Sequence, residues 1–232
     1  MTANEILNKA KKEKRTILTE IEAKQILSEA GINCTDTRLA ATKEEAVTLC
    51  EEIGYPVVLK VSSVDISHKS DAGGVKVNLK DKAAVEKAYD EIMASCKQYK
   101  PDANIEGVSA QQMAKSGVEI MIGMVNDASF GPVVAFGLGG IFVEVLKDVA
   151  FRIVPFDKND AAEMIDEIKG KKLLEGFRGS EPVDKEYLQN ILLKLSDFLE
   201  KTEEIKEIDM NPIFAYKDGA VVVDARIIID EA

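Results

Sequence analysis

The run Val57-Val58-Leu59-Lys60-Val61-Ser62, launched by Pro56, constrains this chain more than any other stretch. It is too apolar for a strand with one face in water, so it belongs inside a sheet and needs other elements to cover it. Helices for that purpose are legible nearby. Thr19-Glu20-Ile21-Glu22 and Thr42-Lys43-Glu44-Glu45 read as capping boxes, the first opening a helix that Gly31 ends, the second a helix that stops at Gly54. Asp81 caps a third that runs to about residue 99, after the alternating strand 75–79. The expected class is therefore α+β. Lys60 is the exception inside the apolar run: alternation puts it opposite Leu59 and Val61, where its ammonium must reach solvent or an anion.

Residues 4–14 read as a further short helix and 37–41 as a strand. Lys100-Pro101-Asp102-Ala103-Asn104 looks like a boundary, which would divide the chain into lobes 1–102 and 103–232. Beyond it the pattern predicts strands at 107–113, 118–126, 133–137, 141–146 and 151–154, with helices at 158–169 and 185–201. A terminal hairpin, 205–215 with 220–229, would turn at Lys217-Asp218-Gly219. Both of its strands carry carboxylate or amide oxygens, Asp209 and Asn211 on one and Asp224 on the other. Counted from the turn, Asn211 and Asp224 lie at similar distances and could face each other, a donor set suited to Mg2+ on nucleotide phosphates. The alternative is a pair of strand ends with Asp224 bonded to Arg226 or to backbone.

The only histidine, His68, lies among Ser, Lys and Asp and is followed at once by Gly73-Gly74. A solvated imidazole beside a glycine turn suits phosphoryl chemistry; an exposed loop histidine with no task is the plain alternative. A net charge of -11 argues against a nucleic-acid partner, which requires a basic face. No signal peptide or stretch of transmembrane length is recognisable, and Cys34, Cys50 and Cys96 lack metal or redox spacing, so the expectation is a cytoplasmic protein with reduced thiols and no membrane partner. The glycine cluster of residues 131–140 matches neither a P-loop, since it has no Gly-Lys-Ser/Thr ending, nor a dinucleotide fingerprint, since Phe142 stands where the third glycine belongs.

Together these stretches resemble the ATP-grasp fold, and more narrowly the β subunit of ADP-forming acetyl-CoA synthetase, a relative of succinyl-CoA synthetase. The resemblance rests on Pro56 to Lys60, His68 with Ala72-Gly73-Gly74-Val75, Gln111-Gln112-Met113 with Gly117-Val118-Glu119, and residues 137–144 with Asp148 and Arg152. It continues through Glu207-Ile208-Asp209-Met210-Asn211-Pro212 and Val223-Asp224-Ala225-Arg226. It implies two lobes clamping ATP or ADP, with Lys60, Gly73 and Gly74 at the phosphates, Gln111 and Met113 in the adenine-reading hinge, Glu119 on the nucleotide, and Asn211 and Asp224 on Mg2+. His68 would be the second phosphohistidine of a relay, carried on a loop expected to move, and Asp209 a functional acid able to orient its imidazole. A partner α subunit would bring CoA binding and acyl-phosphate chemistry, in an α2β2 heterotetramer. Two other readings compete. A regulatory nucleotide-binding module would need Lys60 and Glu119 but not His68, and an ATP-grasp carboxylate ligase would need basic substrate anchors that the chain does not offer.

Overall fold

The computed structural model describes residues 1–66, 68–140, 148–177 and 181–230, and the chain forms two compact units. An inserted unit spans 35–114; a flanking unit is built from 1–34 and 115–232. This differs from a division after residue 102, because the strand that follows Lys100 to Asn104 pairs backwards, with strands of the inserted unit, and because the first 34 residues join the carboxyl-terminal half.

In the flanking unit, α1 (Ala3–Lys12) and α2 (Glu20–Glu29) each start with a complete capping box, from Thr2 with Glu5 and from Thr19 with Glu22. The second is legible in the sequence. Further along come β5 (Val118–Asp127), β6 (Gly131–Leu138), β7 (Val149–Ile153), α5 (Lys158–Glu167), a 3-10 turn (Lys169–Leu173) and α6 (Lys185–Leu199). β8 (Ile205–Tyr216), β9 (Gly219–Val222) and β10 (Ala225–Ile229) close the chain. The sheet order is β10-β8-β5-β6-β7, with β9 also on β8, and every pairing is antiparallel. Helices and sheet share one core, in which Ile6, Leu27, Met124, Phe136, Met164, Leu192 and Ile208 are fully buried. The outer edge of β10 is covered by residues 16–18: Leu18 N–H donates to Ile227 O (3.1 Å) and Ile229 N–H to Thr16 O (2.8 Å). Arg15 clasps that strap to α2 through a two-pronged pair with Glu22, at 3.0 and 2.9 Å. The expected terminal hairpin is present, but its second strand is interrupted at 223–224. The expected strand at 141–146 lies outside the described residues.

In the inserted unit, β1 (Thr37–Ala40), β4 (Gly107–Gln112), β2 (Val57–Ser62) and β3 (Val75–Leu79) form an antiparallel sheet in that order. α3 (Lys43–Ile53) and α4 (Lys82–Tyr99) pack on it. All six positions of β2 are buried, as its composition requires, and Leu59 and Val61 meet Cys50, Ile92 and Cys96 in the core. Thr42 caps α3 by accepting from Glu45 N–H, but the Glu45 carboxylate turns to Ala41 N–H (2.8 Å), so only half of the expected box forms.

Candidate functional site

The inserted unit holds six of the predicted residues. Lys60 is 5% exposed in the middle of β2, opposite Ser109 on β4 and Val75 on β3, and so lies one residue from the glycine pair across the strand. His68 is exposed at the start of a single helical turn. Its carbonyl accepts from Ala72 N–H (3.2 Å), while Gly73 N–H donates to Ser70 O (3.0 Å) and Gly74 N–H to Lys69 O (2.7 Å). That last pair of bonds is a Schellman closure, which needs a left-handed residue, and Gly73 supplies it at φ +67°. Gly74 is constrained by close approach instead: a Cβ there would stand 2.6 Å from Val61 Cγ1 and 2.9 Å from Lys69 O. On either side of His68 the chain is anchored by Ile66 and Ala72, 1% and 3% exposed in the core. Asp65 secures the entry, its carboxylate accepting from Asn104 N–H at 2.7 Å.

Gln111 is fully buried on β4, and its side-chain oxygen accepts from the hydroxyls of Thr35 (3.2 Å) and Thr37 (3.1 Å). Thr37 stands directly across the strand pair from it, a support that local sequence did not reveal. Met113 is 36% exposed just past β4, with its N–H on Pro56 O (3.0 Å).

The flanking unit holds the other four. Glu119, exposed on β5, gives its carbonyl to Gly139 N–H (2.8 Å), and a Cβ at Gly140 would lie 2.7 Å from its Oε2. The glycine cluster that failed both nucleotide fingerprints therefore lets the chain pass closely over Glu119. Ile213 pairs Val222 on one side of the β9–β10 break, Met210 pairs Ala225 on the other, and Val223 N–H bridges to Pro212 O (3.0 Å). The register is the same on both sides, so Asn211 falls opposite Asp224. Asp209 stands opposite Arg226 on β10 and opposite Gly123 on β5. Burial is the main cause that holds the Asp209 carboxyl above the usual carboxylate range; Arg226 opposes the rise, and Asp224 and Glu207 add to it.

No group of three or more His, Cys, Asp or Glu able to hold a metal ion by itself occurs among the described residues. The oxygens of Asn211 and Asp224 still fit Mg2+, which keeps waters and takes one or two protein ligands together with substrate phosphates, not a complete protein cage. Three free thiols complete the inventory. Burial pushes Cys34 and Cys50 up to about 11 and raises Cys96, which disfavours their thiolate forms.

Residues 9–229 match the model of the ATP-grasp domain family. The β subunit of ADP-forming acetate–CoA ligase I from Pyrococcus furiosus is 52% identical over 227 residues, covering 98% of this chain and 97% of the relative. A solved chain of acetyl-coenzyme A synthetase 1 from Candidatus Korarchaeum cryptofilum, in complex with coenzyme A, Ca-AMPCP and HgCl+, superposes with a TM-score of 0.96 at 50% identity, covering 98% of this chain and 100% of that one. A second structure of that enzyme, with coenzyme A and Mg-AMPPCP, is described as having its phosphohistidine segment pointing towards the nucleotide-binding site; its TM-score is 0.87 at 47% identity, with 98% and 100% coverage.

Proposed function

This chain belongs to the ATP-grasp family and, within it, to the β subunits of ADP-forming acetate–CoA ligases, and from that membership we propose that it carries the nucleotide half of an acyl-CoA synthetase reaction. The ATP-grasp fold binds nucleotide. In the proposed sequence a CoA-binding α subunit, in an α2β2 assembly, converts acyl-CoA and phosphate to acyl phosphate and CoA, and its own histidine takes the phosphoryl group. His68 then receives that group and passes it to ADP. The observation that carries this reading is the lone histidine, exposed on a turn closed by glycines and next to the strand that holds Lys60.

Each residue has a physical task in this scheme. A neutral imidazole is nucleophilic near neutral pH, and its phosphoramidate keeps a high transfer potential. In the last step the P–N bond of phospho-His68 breaks as a P–O bond forms to a terminal oxygen of the ADP β-phosphate, and the imidazole leaves. Lys60 sets its charge against the phosphates, and the small profile of Gly73-Gly74 allows them close. Gln111 and Met113 sit where backbone groups would read adenine, and Glu119 takes the nucleotide's sugar. Asn211 and Asp224 would hold Mg2+, which when bound offsets charge on the phosphates. Asp209 serves as the functional acid of the transfer. Free buried thiols support the cytoplasmic setting expected from the sequence.

The test is acyl-CoA-, ADP- and phosphate-dependent ATP synthesis by the chain combined with its partner subunit. His68→Ala should bind nucleotide normally and make no ATP; full activity in that variant would overturn the relay.

A further inference from the structure

The strand that leads to the His68 turn stays tied to its neighbour after the sheet ends. Regular pairing of β2 with β4 stops at Ser62 opposite Gly107, and Glu106 N–H still donates to Ser62 O (2.9 Å). Beyond that point side chains continue the ladder. The Ser63 hydroxyl donates to Asn104 O (2.7 Å) and the Asp65 carboxylate accepts from Asn104 N–H (2.7 Å), so both backbone polar groups of Asn104 are engaged. Asp65 N–H donates in turn to the Ser63 hydroxyl oxygen (3.2 Å), and Lys100 Nζ donates to Asp65 O (3.3 Å). The clasp ends at Asp65, shortly before His68.

On the far side of His68 the chain is held by packing on α4. Cys96 donates its S–H to Ala72 O (3.8 Å), and a Cβ on Gly73 would stand 3.0 Å from Ser95 Cβ. The entry is tied differently, by a side chain that is itself exposed. A hydrogen bond made there replaces one to water and adds little to folding. Its contribution is to position.

We propose that Asp65 is a positioning residue of the phosphoryl relay: its carboxylate, with the Ser63 hydroxyl, fixes on Asn104 the point from which the His68 segment departs. The inference rests on the reading of His68 as the relay group, and adds the anchor that returns its imidazole to one geometry at each turnover. Transfer between nitrogen and a phosphate oxygen tolerates little misplacement, since an error of about 1 Å can cost on the order of 10²-fold. An untied departure point shifts whatever is attached beyond it.

The test follows label from γ-labelled Mg-ATP to His68 in the chain combined with its partner subunit. Asp65→Ala should slow labelling by about tenfold, with the Mg-ATP concentration for half-saturation and the denaturant midpoint unchanged. Asn104 N–H should exchange faster in that variant while the amides of β2 and α4 keep their protection. Asp65→Asn retains an oxygen that can accept from Asn104 N–H, a bond roughly half as strong as that to a carboxylate, and should label within about threefold of the wild type. A role in folding alone would instead lower the denaturant midpoint and leave the folded fraction labelling at the normal rate.

Wild-type labelling in Asp65→Ala, an equal loss in Asp65→Ala and Asp65→Asn, or a loss in Asp65→Ala with Asn104 exchange unchanged would each overturn the inference. The underlying reading has its own control. A wild type that takes no label at His68 fails the relay, whereas a labelled wild type matched by Asp65→Ala fails the anchor alone.

Discussion

The two halves of the candidate machinery are held in place by different means. The His68 turn is a local object: three backbone bonds among residues 68–74 close it, and Ile66 and Ala72 root it in the core. The row of Glu207, Asp209, Asn211 and Asp224 is a non-local object, fixed by β8 pairing with β5, β9 and β10 and by the strap at residues 16–18. A segment closed by a few local bonds opens at low cost, whereas a strand laddered on both sides moves only with the sheet. The comparison assigns the travelling part of a relay to the turn and the stationary part to the strands.

The largest effect should come from removing the group that travels. His68→Ala is expected to lower ATP formation by roughly 10³-fold or more, the loss of at least about 4 kcal/mol of transition-state stabilisation, with nucleotide affinity measured by calorimetry unchanged. A parallel loss of affinity would mean that the turn is part of the stationary half. Next in size is Asp224→Ala. Losing a stationary Mg2+ ligand should raise the Mg2+ requirement on the order of 10²-fold, at the upper end of the range for an outer-shell partner, while the His68 turn stays intact by hydrogen exchange.

Lys60→Ala should weaken ADP binding by about 10–100-fold, the value of a charge-assisted bond, again by calorimetry. An unchanged affinity would remove Lys60 from the phosphate site. Gly74→Ala sharpens the comparison from the other side. Overpacking against Val61 should destabilise the inserted unit by about 1–3 kcal/mol in denaturant titrations without altering exchange protection of β8 and β10.

The smallest effect concerns acid. Burial works to raise the Glu22 carboxyl, but the hydrogen bonds from Arg15 and from Thr19 N–H, with the charges of Arg15 and Lys9, bring it below its ordinary 4.5. A depressed carboxylate contributes stability that is present above that value and is lost as pH falls through its lower folded value. Exchange protection of the strap and β10 should therefore decline below pH 4.5 in the wild type and vary less in Glu22→Gln.

What was legible in the sequence follows the same line between local and non-local. Gly31, Gly54, Thr19 and Asp81 mark helix ends by chemistry confined to a few residues, and each does so here. The facing of Asn211 and Asp224 could be counted from the turn at Lys217-Asp218-Gly219 because the register continues across the β9–β10 break. The division after residue 102 failed as a guide to the compact units, since pairing of β4 with β1 and β2, and of residues 16–18 with β10, depends on contacts that no local pattern encodes. The link from Arg226 to Glu207 was hidden for a related reason: sequence suggests a pair opposite in register, and only side-chain geometry selects the diagonal.

The central claim is that His68 carries a phosphoryl group. Incubating the chain with γ-labelled Mg-ATP, alone and with its partner subunit, and locating the label by acid and alkali stability and by peptide mapping tests it most directly. The account predicts acid-labile, base-stable label on His68 and none in His68→Ala. No label at His68 under either condition, with ATP still formed from acyl-CoA, ADP and phosphate by His68→Ala, would contradict it.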